Sequence, residues 1–172
     1  MKTKPSLISL LTIPLICFIM ACSKDDEPID PEPNQKTIVK QDAALLGLGS
    51  VRLMDSLNLE LSFPELENSP LAGEALMILP FYRLSGDPTD IWYPIPSVHV
   101  ENNLKIYHNG NGMKINIVAE EFDSSKPYGS PVDFKELRIM LVKTSSVQHI
   151  NSRNELDFWN YDQMMDYFDF EG

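Results

Sequence analysis

Apolar and polar side chains alternate along several short segments of the chain, which is typical of β-strands that bury one face. The clearest segment places apolar residues at Leu57, Leu59, Leu61 and Phe63. Residues 74–84 are almost continuously apolar and predict a strand with a bulge or an edge position at Pro80. Residues 90–100 are expected to be extended and residues 134–144 to form a buried strand. Residues 45–55 predict a loop leading into a strand, because their two glycines weaken a helix.

A hairpin is predicted between residues 104–108 and 113–118, which alternate on either side of Asn109-Gly110-Asn111-Gly112. Asn-Gly pairs supply the positive φ angles that tight hairpin turns require. The apolar residues expected to share one face of this hairpin are Leu104, Ile106, Ile115 and Ile117.

The C-terminal end changes to a helical pattern. Asn160 is followed three positions later by Gln163, which is close to a capping box. Apolar residues then recur at i, i+3, i+4 and i+7, namely Tyr161, Met164, Met165 and Phe168. We therefore expect a short helix at about residues 160–168, docked on a sheet because it is too short to persist alone. The complete pattern predicts a mainly β fold, an antiparallel immunoglobulin-like sandwich with a short C-terminal helix.

Length and charge exclude several classes of protein. The chain has 172 residues, which suits one ordinary domain with an additional tail. Its 25 acidic and 14 basic residues give a net charge of -11. Nucleic acid is therefore not an expected partner, because neutralising phosphates requires clustered Lys and Arg.

The N-terminal residues have the pattern of a secretory signal peptide. Lys2 and Lys4 precede an apolar run at residues 7–20 that contains Pro14. A retained membrane anchor is the weaker alternative, because the run is shorter than the roughly 20 apolar residues that span a bilayer.

The end of this segment, Ile19-Met20-Ala21-Cys22, resembles the lipobox of bacterial lipoproteins. The aliphatic residue at minus three and the small Ala21 at minus one match, whereas Met20 departs from the usual residue at minus two. The resemblance implies removal of residues 1–21 and diacylation of the Cys22 sulfur, with palmitate as an expected fatty acid. Acylation of the new amino group would follow. Several acyl chains give stable membrane attachment without a spanning helix.

Residues 22–36 are acidic, rich in proline and almost free of apolar side chains, which predicts a disordered tether. Within it, Lys24-Asp25-Asp26-Glu27 resembles the acidic export signal of surface lipoproteins in Bacteroidota-type bacteria. That resemblance implies an outer-membrane protein facing the extracellular medium, whereas the plainer interpretation is a spacer. Residues 37–172 are then the single folded domain, which retains no cysteine because Cys17 leaves with the signal peptide.

No catalytic, cofactor or metal site is predicted. The three histidines have no metal-ligand spacing and are expected at the surface or in turns: His99, His108 and His149. No Gly-x-Ser-x-Gly elbow is present to mark a hydrolase nucleophile. Glu120, Glu121 and Asp123 cluster at a strand end, where they could hold calcium or serve a glycosidase, although a solvated strand end is the stronger interpretation. Asp87 and Asp90, across a turn, could also hold calcium.

Four aromatic residues form the candidate ligand platform, namely Trp92, Tyr93, Trp159 and Tyr161. Exposed aromatic rings stack on sugars or peptides, and the alternative is that the tryptophans fill the core. We interpret the chain as a non-catalytic surface lipoprotein that binds a glycan or peptide ligand or serves as a subunit of an outer-membrane complex. Two alternatives remain, a structural or adhesive envelope or pilus-associated component, and a small hydrolase or inhibitor.

Overall fold

The structure, a computed structural model, describes residues 36–61, 64–151 and 156–170. The predicted signal peptide, the lipobox with Cys22 and nearly all of the tether lie outside these ranges. The elements in the described ranges are, in chain order, β1 (Lys36–Val39), β2 (Ala43–Leu53), β3 (Ser56–Glu60), α1 (Pro64–Glu67), β4 (Leu76–Leu84), β5 (Tyr93–Pro94), β6 (Ser97–His99), a 3-10 helix (Val100–Asn102), β7 (Leu104–Asn111), β8 (Lys114–Glu121), β9 (Val132–Lys143), α2 (Thr144–Asn151) and α3 (Tyr161–Tyr167).

The strands form two antiparallel sheets, which confirms a mainly β fold. The five-stranded sheet has the order β1-β2-β9-β4-β5, and the four-stranded sheet has the order β3-β8-β7-β6. Apolar side chains from both sheets meet in one buried cluster, which we call the sandwich core. Its largest fully buried members include Tyr82, Phe134, Leu46, Leu53, Ile106 and Ile117.

The five-stranded sheet also buries its other face. There α2 and the segment 156–170 cover the sheet and form a second buried cluster, the helix-side core. Consecutive residues of β9 alternate between the two clusters: Ile139 and Leu141 enter the sandwich core, while Met140 and Val142 enter the helix-side core. Continuous apolar runs are the expected sequence of strands buried on both faces.

Strand β2 begins at Ala43, so the predicted loop at residues 45–55 is wrong. The two glycines do not end the strand, because its pairing with β9 shifts register between Gly47 and Gly49. Gly49 has φ +67°, a conformation that glycine adopts without strain. Glycine within this strand therefore marks an irregularity of the ladder rather than a loop.

Of the two alternatives predicted at Pro80, a bulge is wrong, because Pro80 lies in a regular part of β4. The register shift in β4 falls between Arg83 and Leu84 instead. The alternative, an edge position, holds only in that β4 lies beside the two-residue edge strand β5. The carbonyl of Pro80 accepts a hydrogen bond from Ile95 N at 2.9 Å, on the side away from β9. The missing N–H of the proline therefore costs β9 no ladder bond.

The predicted hairpin is present with a later turn. β7 continues to Asn111, which pairs with Lys114, so Gly112 and Met113 make the turn. Gly112 has φ +62°, the positive angle that the turn requires. The four apolar residues assigned to one face of the hairpin are all buried in the sandwich core, as predicted.

The C-terminal helix is confirmed. The side-chain oxygen of Asn160 accepts a hydrogen bond from Gln163 N at 3.1 Å, which caps α3. All four residues of its apolar face are buried in the helix-side core. The second helix on this face, α2, directly follows the buried strand β9 and was not predicted, although Thr144-Ser145-Ser146 offers residue types that favour an N-cap. In the described residues, no helix has the length and apolar character needed to cross a membrane.

Candidate functional site

Two residues of the predicted platform, Trp92 and Tyr161, stack on each other with ring centroids 4.2 Å apart. Tyr161 is only 6% exposed, and Trp92 is half-buried against the helix-side core. The guanidinium carbons of Arg83 and Arg138 lie 4.7 Å and 4.9 Å from the centroid of the Trp92 ring. Both distances permit cation–π attraction. We call these four residues the arginine clamp.

The charges of the arginine clamp are paired. Glu136 accepts hydrogen bonds from Arg83 and from Arg138 Nε, the latter at 2.5 Å. Asp90 accepts from Lys135 at 2.6 Å and from Arg83 at 2.9 Å. Bonding to Lys135 is the main reason that the pKa of Asp90 lies below its ordinary value. Since Arg138 also donates to the Tyr161 hydroxyl, the clamp ties α3 to the five-stranded sheet.

The other two platform residues lie elsewhere. The ring of Tyr93 packs against the sandwich core, 5.5 Å from the ring of Tyr82, and its hydroxyl donates to Asp87 at 2.7 Å. Trp159 is 53% exposed. The structure therefore divides the four predicted residues between two cores and the surface, and Trp159 is the member whose side chain is mostly exposed.

His99 is buried, so its expected surface position is wrong. Its side chain is 6% exposed, and Nε2 lies 2.6 Å from the hydroxyl of Tyr82. That hydroxyl is also 2.6 Å from Ser97 Oγ. Because Tyr82 belongs to the five-stranded sheet and His99 to the four-stranded sheet, these bonds connect the two sheets. Burial lowers the pKa of His99, partly opposed by Glu101.

The acidic groups considered for calcium or catalysis bond to protein donors. Asp87 accepts from the backbone N–H and hydroxyl of Thr89 as well as from Tyr93. Glu120 accepts from Tyr107 and pairs with Lys105 at 2.8 Å. Across the residues that the structure describes, no group of three or more His, Cys, Asp or Glu side chains could hold a metal ion.

A polar row crosses the outer face of the four-stranded sheet. Asn58 of β3 pairs with Asn116 of β8, which in turn pairs with Asn109 of β7. Their neighbours along each strand, such as Leu57 and Ile117, are buried in the sandwich core. Because side chains alternate across a strand, the three amides point away from that core. We call Asn58, Asn116 and Asn109 the asparagine row.

A groove of about 470 Å³ runs beside the asparagine row. Asn58 and Asn116 line one side, and Glu60 and Lys114 line the other. Between them, Leu59, Ile115 and Gly110 occupy the next register position of the same three strands. The Oδ1 atom of Asn116 is buried and has no hydrogen-bond partner among the described residues. An unpaired buried polar atom is costly. Solvent does not reach this oxygen, whereas the side chains of Asn58 and Asn109 in the same row are exposed.

An aromatic side chain extends this polar face. Tyr107 is two residues before Asn109 on β7 and therefore points to the same side of the sheet. Its hydroxyl donates to Glu120 at 2.7 Å, and Lys105 Nζ lies 5.6 Å from its ring centroid. Bonding to Glu120 raises the pKa of Tyr107. The ring is thus held in place by its neighbours beside the amides.

A second groove, of about 450 Å³, lies at the end of the sandwich. It is lined mainly by apolar side chains, including Leu61, Leu66, Leu71, Leu76 and Met113. It lacks the amide groups that distinguish the groove beside the asparagine row.

The asparagine row was missed at the sequence level, although a signal for it exists. Asn58 and Asn116 occupy polar positions in alternating segments that the pattern assigned to strands. Placing them in one row with Asn109 requires the register of three strands, which cannot be read from the sequence alone. Comparison with protein-family models, with curated proteins and with solved structures yields no match to this chain.

Replacing Trp92 with Ala should weaken the docking of α3. The change removes the stacking on Tyr161 and both cation–π contacts, and we expect the free energy of unfolding to fall by about 2–4 kcal/mol. Urea denaturation measures the loss. The matched control is Trp159→Ala, which should change stability by less than about 0.5 kcal/mol because that side chain is mostly exposed. Equal losses in the two variants would contradict the clamp.

Stability should decrease in mild acid because of His99. Its pKa is lowered in the folded state, whereas in the unfolded chain it is about 6.5. The unfolded chain therefore binds protons more readily, so the stabilisation is complete above about pH 6.5 and is lost as the pH falls through the folded-state value. Urea midpoints at several pH values between 7.5 and 5 measure this dependence.

His99→Gln should flatten that pH dependence. His108→Gln is the companion variant, because burial also lowers the pKa of His108 and both residues add to the slope of the wild-type chain. The contribution of His99 should persist in His108→Gln. A slope in His99→Gln identical to that of the wild type would show that His99 does not titrate with unfolding.

Proposed function

We propose that this chain is an outer-membrane lipoprotein, anchored through Cys22 and facing the medium, with a non-catalytic role in binding glycan chains. The lipobox resemblance of Ile19-Met20-Ala21-Cys22 supports the anchor, and the acidic residues 24–27 support surface exposure. The ligand site in this proposal is the asparagine row with its groove and Tyr107.

The observation that carries this proposal is the row of three outward-facing amides beside a groove of about 470 Å³. Each amide side chain offers two donors and an acceptor oxygen, and sugar hydroxyls likewise donate and accept. Three amides in a line therefore match successive hydroxyl groups along a sugar chain. The ring of Tyr107 offers a surface for the apolar face of a sugar.

The charges favour an uncharged glycan over an acidic one. Lys105 is paired with Glu120, and Nζ of Lys114 lies 3.6 Å from Oε2 of Glu60. Both lysines on this face therefore have an acidic neighbour. The chain as a whole carries a net charge of -11, which repels anionic polymers. We therefore propose a neutral polysaccharide as the ligand class.

The immunoglobulin-like nature of the sandwich is also a proposal. Two antiparallel sheets packed around one core support it. The strand order differs from that of an immunoglobulin domain. There the first and last strands belong to different sheets, whereas here β1 and β9 belong to the same sheet, so the likeness is one of sheet packing alone.

Binding to neutral polysaccharides should depend on the asparagine row. Affinity electrophoresis of the protein through gels that contain xylan, mannan, laminarin or dextran should show retardation by at least one of them. Asn58→Ala and Tyr107→Ala should each weaken that binding about tenfold, which corresponds to about 1.4 kcal/mol.

Two exposed residues away from the groove provide matched controls, Asn102→Ala and Tyr167→Ala. Both should bind like the wild type. Absence of retardation in every gel, or an equal loss in the controls, would count against the glycan proposal. Dextran sulfate serves as the charged probe, and stronger retardation by it than by dextran would refute the preference for neutral chains.

The anchor should depend on Cys22 and not on Cys17. In cells that process lipoproteins, Cys22→Ser should move the protein from the membrane fraction and the detergent phase into the aqueous phase. Cys17→Ser should leave it membrane-bound. Membrane attachment of Cys22→Ser would disprove the lipid anchor.

Protease added to intact cells should digest the wild-type chain, with a known surface protein and a known periplasmic protein as controls.

A further inference from the structure

Strand β3 is an edge strand whose outer side has no pairing partner within the described residues. It pairs with β8 alone. Leu61 N donates to Met113 O at 2.7 Å, and Ala119 N donates to Asp55 O at 3.0 Å. Because backbone groups alternate along a strand, the odd-numbered residues face β8. The N–H and C=O groups of the residues between them therefore point outward, namely those of Ser56, Asn58 and Glu60.

The other edges of the two sheets carry features that discourage pairing. β5 has two residues and includes Pro94. β6, the other edge of the four-stranded sheet, has only three residues and follows Pro96. β1 begins with a lysine, Lys36. Proline and lysine are the usual protections of edge strands. β3 contains neither and has five residues, longer than β5 or β6, so it is the edge best suited to accept another strand.

We propose that β3 pairs with β3 of a second copy of this chain, antiparallel and around a two-fold axis at Asn58. In this register Asn58 faces its own counterpart, Leu57 faces Leu59, and Ser56 faces Glu60. No like charges face each other, and each leucine meets a leucine. A strand whose sequence is nearly symmetric about its centre suits a two-fold contact, in which the same surface is used by both copies.

The pairing uses the edge of the sheet, whereas the proposed glycan site uses its face. The two four-stranded sheets would join into one continuous sheet of eight strands, and the two asparagine rows would meet at the axis. The Asn58 amide of one copy would then adjoin that of the other, and the row would double to six amides. This inference rests on the backbone of β3 and stands or falls separately from the glycan proposal.

Proline at position 58 tests the contact. The N–H that Asn58→Pro removes points away from β8, so the variant should keep the fold of the single copy. Light scattering coupled to size-exclusion chromatography measures the mass of the protein part of the particle. On the full chain in detergent, without any polysaccharide, that mass should equal two chains for the wild type. Asn58→Ala retains the backbone groups and should remain dimeric, whereas Asn58→Pro should be monomeric with an unchanged circular dichroism spectrum. A monomeric wild type, or a dimeric Asn58→Pro, would overturn the proposal.

A cysteine pair tests the register without relying on a proline variant. Facing residues of a hydrogen-bonded antiparallel pair have Cα atoms about 5.5 Å apart, within the range that a disulfide bridges. Asn58→Cys should therefore cross-link two copies under mild oxidation. Glu60→Cys is the matched control, because its counterpart would lie roughly 13 Å away along the strand. The wild-type chain controls for Cys17 and Cys22. Equal cross-linking of the two variants, or none in Asn58→Cys, would refute the register.

Discussion

The fold depends on burying both faces of the five-stranded sheet. β9 lies at its centre, paired with β2 on one side and β4 on the other, and it sends alternate side chains into the sandwich core and the helix-side core. Neither face can be left to water, since the residues at 139–142 are all buried. The C-terminal segment is therefore a required layer rather than an appendage, and the arginine clamp holds its helix against the sheet.

The four-stranded sheet has the opposite character. Its inner face closes the sandwich core, and bonds among Tyr82, Ser97 and His99 fasten it to the larger sheet near the crossing from β5 to β6. Its outer face carries amides, paired charges and Tyr107, and none of the described helices packs there in the buried clusters. Polar side chains on that face are not needed to fill a core. That freedom is the physical reason for proposing the glycan site on this face.

The sequence predicts the elements better than their mutual placement. The alternation predicted from Leu57 to Phe63 and the cap at Asn160 depend on local chemistry. A strand is present at Ser56–Glu60 and the cap is confirmed, while Phe63 lies outside the described residues. The candidate platform depended on which aromatic rings meet, and the pairing of Trp92 with Tyr161 is decided by tertiary contacts. The asparagine row depends on register: a turn at residues 109–112 would pair His108 with Met113 and remove Asn116 from its place opposite Asn109. A small shift in pairing changes every cross-strand neighbour.

Strand β1 has a mechanical consequence. It is attached to β2 through four residue pairs, from Lys36 with Gly47 to Val39 with Ala44. Ile38 touches the helix-side core and Val39 the sandwich core, and both are only partly buried. A load applied from the N-terminal side reaches this ladder before it reaches either core. Because β2 is paired with β9 on its other side, separating β1 would leave that second ladder intact, and the β1–β2 ladder is the first one that a pull from the N-terminal side loads.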